Sequence, residues 1–249
     1  VERKIWSYEE HLAAFGLYCR IPFGRLHHGN PEISELANRL GRSANALAMK
    51  LVNFARFDPA LQARGISGLS NGSKLEEEVW KEFTTSPNAT AFACETALLK
   101  LGSPTVDDIL VLPSTPTERI MEVKIRLVQS FFRAGVLSSY NYRCSFCDLE
   151  QKELLVAGHI IPWSANEDLR ADPRNGICLC ALHDKAFDRG LLAIAEDFSI
   201  LVSGRIDRST SNDLTQIGLI NLEGKKMNLA ERFQAFDSSL AYHREKIFD

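Results

Sequence analysis

The chain has 249 residues, a formal net charge of −3, and 45% hydrophobic and 24% charged residues, values of an ordinary globular protein. They exclude whole-chain disorder, a collagen-like repeat and a coiled coil, and leave room for one large domain or two small ones. No stretch approaches about eighteen consecutive apolar residues, and the opening VERKIWSYEEHLAAF lacks a secretory h-region, so the expected setting is the cytoplasm with no membrane partner. The negative balance argues against nucleic-acid binding through bulk charge. Residues 1–64 hold nine Lys/Arg against six Asp/Glu, which makes this segment the place for a local basic patch.

In chain order, Ser7 with Glu10 three residues on forms a capping box for a first helix. Leu12, Phe15 and Tyr18 recur along it near the helical period. Asn30 caps a second helix, Pro31 to Leu40, which Gly41 breaks. Ser43 caps a third, from Ala44 to about Phe57, stopped before Pro59. Helix, glycine turn and helix make a helix-turn-helix pattern. The third helix places Leu47, Leu51 and Phe54 on one face. Arg42, Asn45, Lys50, Asn53 and Arg56 remain for phosphates and base edges. Residues 1–64 are therefore expected to form a helix-turn-helix-like DNA-recognition domain. The segment resembles the small trihelical domains of the homeodomain and Myb type. The alternative is a trihelical core with a solvated face.

GISGLSNGSK, at 65–74, reads as a linker opening a helical connector over 65–117. Helices around 75–83 and 89–101 flank TTSPNAT as a loop, and LGSPTVDD and LPSTPTE add punctuation. The third unit, 118–249, begins with an amphipathic helix from about Glu118 to Ala134, striped by Ile120, Val123, Leu127, Val128 and Phe131 and ended by Gly135. Farther on, LLAIAEDFSILV reads as a β-hairpin turning at AEDFS, and TQIGLINLEGKKMNL as a second short strand pair. The tail LAERFQAFDSSLAYHREKIF reads as helix, with His243 on its surface.

Cys19 and Cys94 sit in apolar helical surroundings and read as core residues. The other cysteines cluster. Cys144-x2-Cys147 and Cys180-x2-His183 together offer a closed set of sulfur and nitrogen ligands suited to structural Zn²⁺. Cys178 is the alternative third ligand. Between the half-sites a strand, Leu154 to Ile161, carries His159 in an apolar run, and Asn175 follows.

With Cys144-x2-Cys147, the GHIIPW strand, Asn175-Gly176 and LCALHDKAFDRG, residues from about 119 to 195 resemble the HNH endonuclease family of the ββα-metal type. The likeness is strongest to HNH domains of restriction-type endonucleases. It implies an α+β fold: the N-terminal helical domain, the connector, and a C-terminal ββα-metal domain with a flanking hairpin. It also implies hydrolysis of phosphodiester bonds in double-stranded DNA, with His159 as general base and Asn175 as the orienting residue. The third family position would hold a catalytic Mg²⁺ or other divalent ion.

At that position this chain departs from the family. A zinc-ligand Cys followed by a catalytic His is replaced by His183 and Asp184. In one register Cys144, Cys147, Cys180 and His183 hold zinc and Asp184 holds the catalytic ion. In the other His183 is the catalytic ligand, and Cys178 and Cys180 are left for zinc. Gly158 stands where relatives often carry an acid. A restriction-type enzyme, with modification dependence left open, is the expected function, acting as a homodimer whose C2 symmetry matches that of duplex DNA. The alternatives are an inactive zinc-containing DNA-binding protein and an RNA-directed or toxin-type nuclease.

Overall fold

The structure, a computed structural model, describes residues 5–69, 72–102, 116–210 and 212–249. The proline punctuation expected at 103–115 lies outside the described residues. Helix α1 spans Tyr8–Arg20, and both halves of its capping box form: Ser7 Oγ accepts from Glu10 N at 3.1 Å, and Glu10 Oε2 accepts from Ser7 N at 2.8 Å. Helix α2 (Pro31–Leu40) starts at Asn30, whose side chain accepts from Glu32 N, and stops at Gly41, whose φ of 62° suits a residue without Cβ. Helix α3 (Ala44–Asn53) is capped by Ser43 and passes into a 3-10 turn, Phe54–Phe57. A short helix, α4 (Pro59–Ala63), follows, then α5 (Lys74–Thr85) and α6 (Pro87–Lys100). The expected loop at TTSPNAT collapses to Ser86, because Pro87 occupies the first turn of α6, where its missing N–H costs nothing.

Helix α1 is buried from His11 to Arg20 and forms the axis of the first core. Phe15 lies 5.0 Å from Phe54, 5.9 Å from Trp80, 5.2 Å from Phe83 and 6.4 Å from Phe131, between ring centroids. Cys19 and Cys94 are buried in this core. The core also takes in Phe233 from near the C-terminus. The composition shift at residue 64 thus marks a break in chain chemistry, while packing runs on through α5, α6 and α7 (Pro116–Ser139).

Helix α7 does not end at Gly135, which lies inside it; a Cβ there would come within 2.6 Å of Pro173 Cγ, so the glycine admits the loop before Asn175. Phe131 of α7 belongs to the first core, and Phe132 and Val136 to a second. The second core gathers around an antiparallel pair, β1 (Leu155–His159) and β2 (Gly176–Cys180), with His159 opposite Gly176. Helix α8 (Ala181–Asp188) follows β2 directly. The expected hairpin forms as β3 (Leu192–Ile194) and β4 (Ile200–Val202).

The second strand pair does not form. Residues 213–222 are instead α9 (Asp213–Gly218) and a 3-10 turn, and only Ser199 and Lys226 share a bridge. The tail is helical only over α10 (Asp237–Lys246), because Arg232 and Phe233 leave the helical path to enter the first core, Phe233 with a φ of 50°.

His243 is not on the surface: it is 1% exposed, stacks on Phe187 with centroids 3.6 Å apart, and donates from Nε2 to Phe187 O at 3.0 Å. Burial lowers its pKa from 6.5 to about 4. The unfolded chain takes up this proton below 6.5 and the folded chain only near 4, so the stabilisation is complete above the first value and lost on approach to the second. His243→Phe keeps the stack and removes the titration. Its melting temperature is expected to fall less than that of the native chain between about pH 7 and pH 4.5, a difference of up to about 3 kcal/mol.

Candidate active site and metal centre

The metal centre is assembled by a tight turn and a strand–helix junction. After α7, Asn141 and Tyr142 adopt left-handed φ values of 53° and 57° and turn the chain toward Cys144. Cys144 N donates to Leu149 O at 2.9 Å and Asp148 N to Cys144 O at 3.0 Å, which closes a knuckle around Cys147. Ser145 N donates to Cys178 O at 2.7 Å and ties the knuckle to β2. Cys180 ends β2 at the N-cap of α8, and His183 lies in the first turn of that helix. The ligand atoms of Cys144, Cys147, Cys180 and His183 all lie within 4.8 Å of one another.

This donor set fits zinc. His183 Nδ1 is 3.3 Å from both Cys144 Sγ and Cys180 Sγ, close to the sulfur–nitrogen edge of about 3.5 Å expected of tetrahedral zinc. His183 Nε2 is 2.8 Å from Gly218 O. A carbonyl only accepts, so the proton sits on Nε2 and Nδ1 is left bare toward the sulfurs, the usual outer support of a metal-ligating imidazole. Hydrogen bonds within the cluster pull the Cys180 thiol well below its ordinary pKa, push the Cys144 thiol up and raise His183 to about 10, so thiolate and imidazole share protons that a bound cation would displace. Cys178 stands apart from the cluster, packed in the second core. With both ring nitrogens engaged, His183 has no lone pair left for a second ion.

A second group lies along β1 and its partner. His159 closes β1 with its ring flat on Phe132, centroids 3.7 Å apart and 7° between planes, and edge-on to Trp163 at 5.5 Å. Its Nε2 is 3.0 Å from Arg170 O. By the same argument Nε2 carries the proton and Nδ1 is the free acceptor. Burial lowers the His159 pKa, the bond to Arg170 opposing, which favours the neutral, basic form. Asn175 acts on backbone: Oδ1 accepts from Ile161 N and Nδ2 donates to Ile161 O, each at 3.0 Å. Together with Ile160 N donating to Asn175 O at 2.9 Å, this pins the chain just after His159.

Asp184, on α8, comes up against the strand at Gly158. A Cβ on Gly158 would lie 2.6 Å from Asp184 Oδ1, so the carboxylate of the helix occupies the space beside the strand that the glycine leaves. Burial pushes the Asp184 carboxyl up to about 6, with the Asp188 carboxylate adding to the shift. Among the described residues no cation pairs with it. A half-buried carboxylate oxygen against the strand residue that precedes His159 is a fitting ligand for a hard divalent ion.

The N-terminal candidates are placed differently. Arg42 donates to Glu10 Oε2 at 2.7 Å and lies over the Trp6 ring at 4.4 Å. Lys50 and Asn53 are buried, not solvent-facing, and both bond Glu76 Oε1, at 2.6 and 3.2 Å. Arg56 pairs with Glu76 Oε2 at 3.2 Å. The physical reason is Glu76: it is fully buried on α5, and a buried carboxylate draws in the nearest cations to offset its desolvation. Asn45 alone of these five is exposed, beside an apolar groove of about 610 Å³ bordered by Leu26, Met49, Val52 and Leu69.

Sequence reasoning did not find Phe132, the Arg170 carbonyl or the Gly218 carbonyl as supports of the two histidines. A second phenylalanine beside the apolar stripe of α7 was a usable signal for the first. A backbone carbonyl carries no sequence signal.

The chain matches the family model described as HNH endonuclease over residues 144–195, which hold the zinc-type cluster, His159, Asn175 and Asp184. This part of the chain is an HNH endonuclease domain, of a class of enzymes that hydrolyse phosphodiester bonds. A comparison with curated proteins gives no significant match.

Proposed function

We propose that the protein is a metal-dependent DNA endonuclease of restriction type. His159 is its general base, Asn175 fixes the loop behind that base, and Asp184 holds the catalytic divalent ion. Cys144, Cys147, Cys180 and His183 hold structural zinc. The observation that carries this reading is the placement of the His159 ring, whose Nε2–H is committed to Arg170 O and whose Nδ1 is left to take a proton. In catalysis Nδ1 accepts a proton from the attacking water, and the flat stack on Phe132 holds the ring in the plane that this requires. A Mg²⁺ or similar ion, when bound, supplies Lewis-acid stabilisation of the leaving oxygen.

Double-stranded DNA is the preferred substrate, and a homodimer places one active site on each strand. No helix among the described residues is long and apolar enough to cross a membrane, and we assign the enzyme to the cytoplasm. The test is plasmid cleavage with Mg²⁺ or Mn²⁺ on methylated and unmethylated DNA, with Asp184→Ala alongside. We expect about one zinc per chain in both proteins and cleavage lowered about a hundredfold in Asp184→Ala. Cleavage restricted to one plasmid establishes that base modification is read. Normal cutting by Asp184→Ala overturns the metal assignment, and preferential degradation of single-stranded RNA overturns the substrate.

A further inference from the structure

One peptide group near the active site is held from both sides. The carbonyl of the Arg170–Ala171 peptide accepts from His159 Nε2 at 3.0 Å. The N–H of the same peptide donates to Asn88 Oδ1 at 2.9 Å. Asn88 Nδ2 also donates to Glu167 O at 2.7 Å. Asn88 is the second residue of α6 and stands well outside the segment that matches the HNH family. Its two bonds are short, whereas the backbone bonds on either side of this peptide, Arg170 N to Glu167 O and Asp172 N to Leu169 O, are both 3.3 Å.

The ring of His159 needs such help. The stack on Phe132 fixes the plane of the imidazole but not which nitrogen points where, since a half-turn about Cβ–Cγ returns the ring to the same plane. Among the described residues only the hydrogen bond to Arg170 O decides, and that carbonyl is aimed by its peptide. Donation of the peptide N–H to Asn88 anchors the group and polarises its oxygen, strengthening it as an acceptor. We propose that Asn88 is a positioning residue for the cleavage reaction: acting through the Arg170–Ala171 peptide, it selects the Nε2–H tautomer of His159 and leaves Nδ1 bare. This rests on His159 being the general base. It assigns to the N-terminal helical layer a part in the chemistry of the HNH domain.

The test combines ¹⁵N NMR of the His159 ring with steady-state plasmid cleavage in Mg²⁺. Spectra are taken on the zinc-loaded full chain without the catalytic ion, at about pH 8, above the ordinary imidazole range, and His159→Ala identifies the resonances. Asn88→Ala and the near-isosteric Asn88→Leu are expected to show mixed tautomers and a kcat lower by about tenfold, with KM changed less than about twofold. Asn88→Asp keeps an acceptor for the Ala171 N–H, and is expected to restore the Nε2–H tautomer and most of kcat. A pure Nε2–H tautomer in both Asn88→Ala and Asn88→Leu overturns the proposal whatever the rates do, as does an Asn88→Asp protein that behaves like them. Full cleavage by His159→Ala overturns the base assignment instead, and the tautomer signal still reports on Asn88 separately.

Discussion

Replacing His159 with alanine is expected to lower DNA cleavage by about 10²- to 10⁴-fold, the usual worth of a general base. The zinc content is expected to stay at the native level, because His159 lies outside the cluster of Cys144, Cys147, Cys180 and His183. Alanine also empties the slot between Phe132 and Trp163, so a loss of rate alone does not separate chemistry from packing. His159→Gln makes the separation. Its amide Nε2 reaches the place of the imidazole Nε2 and can still donate to Arg170 O but offers no basic nitrogen, so it is expected to be as inactive as the alanine variant and closer to the native protein in melting temperature. The pH profile gives a further check. Only the unprotonated Nδ1 accepts a proton, so the rate rises with pH through the His159 pKa, and burial moves that acid limb below the ordinary 6.5. An active His159→Gln protein would sink the assignment.

The parts of the fold that were legible in the sequence are those set by local chemistry. Ser7, Asn30 and Ser43 cap helices because each offers an oxygen to an orphan N–H, and that exchange needs no distant partner. The cluster of Cys144, Cys147, Cys180 and His183 was legible because two half-sites, each with two intervening residues, suit one tetrahedral ion. What was not legible depends on residues far apart in the chain. Lys50, Asn53 and Arg56 look like a solvated face of α3 until Glu76 is placed beneath them. His243 looks exposed until Phe187 is placed against it. Gly135 looks like a helix stop, yet it is a point of close approach for Pro173. The tail reads as one long helix because its composition permits it, but burial of Arg232 and Phe233 in the first core outweighs that preference. Gly158 reads as a missing acid until α8 is placed against it and Asp184 comes up beside the strand.

Removing zinc is expected to have the largest effect on stability. Structural zinc contributes about 10–16 kcal/mol in small zinc-dependent domains, comparable with the whole folding free energy of an ordinary domain. Here the four ligands join the knuckle after α7 to the junction of β2 and α8, and much of the second core packs around that joint. Cys180→Ser is therefore expected to lose the metal, melt far below the native protein and bring cleavage to background. The loss of activity has a direct route: Cys180 stands at the N-cap position of α8, the helix that carries Asp184 to Gly158, so an unanchored first turn withdraws the carboxylate from the strand. Cys178→Ser is the matched control. It places a hydroxyl in the second core at a cost of about 1–3 kcal/mol, but it is expected to keep one zinc per chain and cleave DNA, since Cys178 stands outside the cluster. Metal analysis of the two variants separates the registers. Zinc lost in Cys178→Ser as well as in Cys180→Ser would return His183 to the catalytic ion and leave Asp184 without a role, whereas zinc lost only in Cys180→Ser ties zinc, the aim of α8 and the catalytic carboxylate into one unit.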